Sequence, residues 1–84
     1  MSLLIKPNEE PVVVEVKSFK DLQDLVSGYV EVVNLSNDLF KLIVNEDGKL
    51  LNLPPNKTAS KIAIIHEIVG NAVLMFTEEF KALK

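Results

Sequence analysis

Only one histidine, His66, stands in the chain, and there is no cysteine. A protein zinc or iron site needs several converging nitrogen, sulfur or carboxylate donors. One imidazole without a second histidine or a thiolate does not make such a set, so no metal is expected and His66 reads as a surface or partly buried side chain. The acidic pairs Glu9-Glu10, Glu46-Asp47 and Glu78-Glu79 invite comparison with acid/base catalysis or calcium binding. Catalytic carboxylates face each other across a cleft, which neighbours on one turn rarely do. The run Asn45-Glu46-Asp47-Gly48 also lacks the spaced oxygens and closing glutamate of a calcium loop. Serines and threonines fall in caps and turns, away from any nucleophile-elbow pattern, and three glycines are too few for a phosphate-cradling loop. An enzyme is therefore the least expected class, and no cofactor is expected. Four polar residues remain as candidate binding groups: Tyr29, Glu31, Lys49 and Asn56. Each lies at a strand end or turn, where binding groups are displayed. Turn chemistry offers a simpler account of three of them: Tyr29 as an amphipathic edge of the core, Lys49 as a hairpin flank and Asn56 as a helix cap.

The chain's composition narrows the partners. Its 84 residues make one domain, and 48% of them are hydrophobic, enough for a core and high for so small a surface. A second copy or another protein is expected to cover part of that apolar area. Net charge is -3, and every basic residue is a lysine, scattered along the chain. Without arginine or a basic run, nucleic-acid binding is disfavoured. So small a negative charge does not make a DNA-like surface either. The lack of cysteine and of a charged-then-apolar leader favours a cytoplasmic setting. No stretch approaches the roughly 20 apolar residues that span a bilayer, so no membrane association is expected.

These side chains need elements to hold them. Leu3 to Ile5 reads as a first strand, Pro7 to Pro11 as a turn, and Val12 to Val16 as a second strand completing a hairpin. Ser18 is a helix N-cap with Asp21 three residues on. Phe19, Leu22, Leu25 and Val26 follow at helical spacing, and Gly28 offers a left-handed residue to end the helix. Tyr29 to Leu35 and Leu39 to Asn45 read as strands around the turn Ser36-Asn37-Asp38. Asp47-Gly48 is a hairpin signal that predicts a further short strand over Lys49 to Leu53, ended by Pro54-Pro55. Asn56 to Val69 sets a cap signal at Asn56 or Thr58 against β-branched isoleucines: it reads as a short helix or a helical turn, with a strand as the alternative. Ala72 to Phe76, apolar and uncharged, predicts a strand buried on both faces. Thr77-Glu78-Glu79 opens a short terminal helix that Phe80 and Leu83 would dock.

The runs Gly28 to Val33, Val44 to Leu50, Leu53 to Asn56 and Ile68 to Val73, in this order and spacing, resemble the family called domain of unknown function 3846. The resemblance covers about Leu3 to Phe76. It implies a bacterial mobile-element setting, phage or plasmid, and transfers no catalytic residues. The fold expected from the pattern is α+β: a mixed sheet of about five strands with one principal helix on a face, β-grasp-like, in a single domain. The expected function is a non-catalytic protein-interaction module that self-associates, most simply as a homodimer. The alternative is a small-molecule binder that sequesters a nucleotide-like host signal. A host protein or a small ligand is accordingly the other partner considered.

Overall fold

In the computed structural model, which describes residues 1–84, the N-terminal apolar runs pair as a hairpin. Strand β1 spans Ser2–Ile5 and β2 spans Val12–Val14, with Leu3 opposite Val13. Helix α1, Phe19–Val26, follows, then β3, Val30–Asn34, and β4, Phe40–Asn45. Helix α2, Lys57–Ala63, leads into β5, Ala72–Phe76, and the short α3, Thr77–Lys81. The five strands form one sheet in the order β2-β1-β5-β4-β3. The expected α+β class and the helices packed on the sheet are what the chain adopts.

Three local expectations need correction. First, the sheet is antiparallel throughout rather than mixed. The long return through α2 inserts β5 between β1 and β4, running against both. Second, Lys49 to Leu53 forms no strand. A tight hairpin turn requires left-handed backbone at its centre, and neither Asp47 nor Gly48 has it. The segment coils into consecutive turns, with Leu51 N–H donating to the Asp47 carbonyl and Leu53 N–H to that of Gly48. Third, the left-handed residue ending α1 is Ser27 (φ 65), not Gly28. Gly28 is small for a different reason: a Cβ there would lie 2.8 Å from Nδ2 of Asn45.

Each face of the sheet carries its own core. On one face Leu4, Ile43, Val73 and Met75 meet Leu22 and Val26 of α1, with Phe80 and Leu83 packed alongside. Ser18 caps α1 through its hydroxyl, which accepts from Asp21 N–H. Phe19 stays half out of this core and meets Phe80 edge-on, 5.5 Å between ring centres. On the other face Ile5, Val33, Leu42, Val44 and Ala72 meet Ala59 and Ala63 of α2, with Ile68 beside them. Asn56 caps α2. The helix ends at Ile64, where Ile65 N–H donates back to the Ala63 carbonyl and φ reaches 65°. That geometry is a rare and strained turn for a β-branched residue. His66 therefore lies beyond the helix, exposed.

Candidate functional site

Of the four candidate residues, Glu31 and Lys49 meet at one cavity of about 210 Å³. Its floor is apolar, from Val33, Val44 and Ile68, and its rim carries Glu31, Glu46, Lys49, His66 and Glu67. Strand register sets Glu31 opposite Val44, on the α2 face of the sheet. The turns after β4 bring Lys49 over it. Asn45 starts those turns: its Oδ1 accepts from Asp47 N–H at 2.7 Å, while its Nδ2 donates to the Val26 carbonyl at 3.0 Å. One buried amide thus ties the end of α1 to the loop that carries Lys49. At the cavity's edge Gly48 approaches Val69 so closely that a Cβ would sit 2.9 Å from Cγ2.

The cavity gathers three carboxylates against one lysine and one histidine. No three of the chain's His, Asp and Glu side chains are grouped to hold a metal ion. The cavity also falls below the roughly 300 Å³ at which small-ligand pockets usually begin. Two groups have a displaced pKa, and both are elsewhere and fully exposed. The Met1 ammonium is raised chiefly by its hydrogen bond to Glu79, and Lys20 by its hydrogen bond to Asp24.

Tyr29 is not brought to this cavity. It is 70% exposed and borders a separate shallow depression with Lys20, Gln23 and Gly28. Asn56 is not on the surface at all. It is 1% exposed; its Nδ2 donates to the carbonyls of Ile5 (2.8 Å) and Gly70 (2.9 Å), and its Oδ1 accepts from Ala59 N–H (3.1 Å). With these atoms committed and no exposure, Asn56 is a structural cap and tie.

The surface that sequence reasoning missed lies beyond α2 on the same sheet face. Register lines up Val13, Leu3, Leu74 and Leu42 in one row. In the next, Phe40 stands opposite Phe76, their rings stacked with centres 4.9 Å apart. No helix covers this end. Val13 is 60% exposed and Phe76 48%, and Leu3, Phe40 and Leu74 line an apolar cleft of about 240 Å³. Strand β5 is thus buried on both faces only over its first half. The uncharged run Ala72 to Phe76 signalled apolar contact without saying that its last residue is left for another molecule to meet.

No curated protein and no solved structure is significantly similar to the chain. The family model described as Domain of unknown function (DUF3846) matches it over residues 1–84, and the chain belongs to that family.

Proposed function

We propose that this chain is a non-catalytic interaction module that self-associates through the uncovered apolar half of its sheet. One observation carries the reading: the stacked Phe40–Phe76 pair, with Leu3, Leu74 and Val13 beside it, forms an apolar surface with no element over it, bordered at one end by Met1. Apolar patches of this kind mark contact sites. A second copy fits because an apolar surface is complementary to itself, and a two-fold contact uses it twice. Its five open positions, on strands about 4.8 Å apart and in rows about 6.8 Å apart, give a flat area of roughly 160 Å². That is well below the roughly 800 Å² per partner of stable specific contacts, so the association is expected to be weak and transient. An accessory role in a bacterial phage or plasmid, as family resemblance implies, and a cytoplasmic setting, as the lack of cysteine favours, belong to the same proposal.

The second reading, a small-molecule binder, is supported by the cavity between Glu31 and Lys49. Its surplus of carboxylates disfavours a phosphate, so a nucleotide-like ligand fits it less well than a cationic or neutral one. Sedimentation equilibrium from low to high micromolar concentration tests the first reading. The expected mass rises to two chains or more, and Phe76→Lys moves the transition at least about tenfold higher, about 1.4 kcal/mol. A single-chain mass across the range, for the natural chain, would reject self-association.

A further inference from the structure

We propose a second self-association surface, independent of the apolar face: the outer edge of β3, where another copy adds antiparallel about a two-fold axis at Val32. Backbone parity fixes which groups of β3 face outward. Glu46 N–H donates to the Tyr29 carbonyl at 2.8 Å, and Thr77 N–H to that of Leu39 at 2.8 Å. In antiparallel ladders hydrogen-bonded pairs alternate with non-bonded ones. Tyr29–Glu46 is bonded, so Glu31–Val44 and Val33–Leu42 are bonded too. The Leu39–Thr77 bond fixes the same parity independently, because it assigns Lys41 and Ile43 to β5 and leaves Leu42 and Val44 to β3. Val30, Val32 and Asn34 therefore turn their N–H and C=O groups away from the sheet, and no turn or cap elsewhere in the chain takes them.

Of the usual protections this edge carries only one charge, Glu31. It is five residues long, with no proline and no lysine within it. The opposite edge, β2, is only three residues and follows Pro11. A second copy is the occupant because the self-pairing has a good register. Centred on Val32, it sets Val30 against Asn34 and Val32 against itself, matching every outward group in about six bonds. Glu31 then faces Val33, so no like charges stand directly opposed. Centring on Glu31 would oppose two glutamates, which is unfavourable. Centring on Val33 would strand the outward groups of Val30.

Amide hydrogen exchange by NMR across a concentration series tests the proposal on the intact chain. Glu31 and Val33 N–H are protected at every concentration by β4. Val30, Val32 and Asn34 N–H exchange fast when dilute and are expected to slow at least tenfold as the chain associates. Val32→Pro removes one outward donor without touching the ladder to β4, and proline is tolerated on edge strands. It is expected to abolish the slowing at Val30 and Asn34. Fast exchange of these three amides up to millimolar concentration would overturn the proposal, as would slowing that survives Val32→Pro in a folded variant. Should that variant not fold, the natural chain's concentration dependence decides alone. Association through the apolar face protects none of these amides, so the two surfaces succeed or fail separately.

Discussion

Asn56 offers the sharpest test of the fold, because its two roles respond differently to substitution. Its Oδ1 caps α2, and its Nδ2 ties the carbonyls of Ile5 and Gly70 to the helix start. Asn56→Ala removes both. Loss of a cap costs about 1 kcal/mol. Ladder parity leaves the Ile5 carbonyl a bond from Ala72, so its loss is partial. The Gly70 carbonyl accepts no turn or cap bond, and leaving it unpaired in the interior costs about 1–3 kcal/mol. The expected total is about 2–4 kcal/mol, against a stability of about 4–13 kcal/mol for a chain of this length. Asn56→Asp separates the roles. Aspartate caps as well as asparagine does, so a residue that only capped would tolerate it. Here the carboxylate would replace the donor with a buried charge aimed at two carbonyl oxygens, costing about 3–5 kcal/mol. The expected order of urea midpoints is natural chain, then alanine, then aspartate. With a urea slope of about 1 kcal/mol per molar, the alanine shift is about 2 M or more. An aspartate variant within about 0.5 kcal/mol of the natural chain would refute the tie and leave only a cap.

Two further substitutions probe α1. Leu22→Ala empties a fully buried position between α1 and the sheet and is expected to lower stability by about 2–5 kcal/mol in the same denaturation assay. Ser27→Gly relaxes a left-handed residue at the helix end and is expected to raise stability by about 0.5–1 kcal/mol, read as a higher melting temperature.

Where the sequence was legible, local chemistry and burial agreed. Ser18 and Asp21 announced the start of α1, and Leu22 and Val26 its buried stripe, because both signals act within one helical turn. The valine and leucine runs of β1, β4 and β5 were legible as strands for the same reason. Asp47-Gly48 misled because its hairpin meaning depends on φ, which the buried Asn45 amide decides by holding Asp47 N–H in a different turn. Asn56 was legible as a cap. Its burial was not, since two of its three partners, Ile5 and Gly70, lie 51 and 14 residues away. Glu31 and Lys49 meet for a similar reason: their contact depends on how the loop after β4 folds back, and no spacing along the chain encodes it.

The open half-face follows from the size of α2. Seven residues make a helix about 10 Å long, whereas five strands span about 19 Å between their outer axes. The helix turns alanines, Ala59 and Ala63, toward the sheet, so it sits close and covers little beyond its own footprint. The opposite face has α1, α3, Phe80 and Leu83 over it and is closed. This asymmetry separates stability from association. Under α2, Ile5 and Ala72 are enclosed, and a charge at either would unfold the chain. At the far end Phe76 is already half in water, so Phe76→Lys forfeits only the buried half of one ring. Its cost to folding should stay near 1 kcal/mol, by the area rule for apolar burial, with the urea transition still cooperative. An unfolded Phe76→Lys chain would mean that the phenylalanine pair belongs to the core, and the apolar face would then lose its claim as a contact surface.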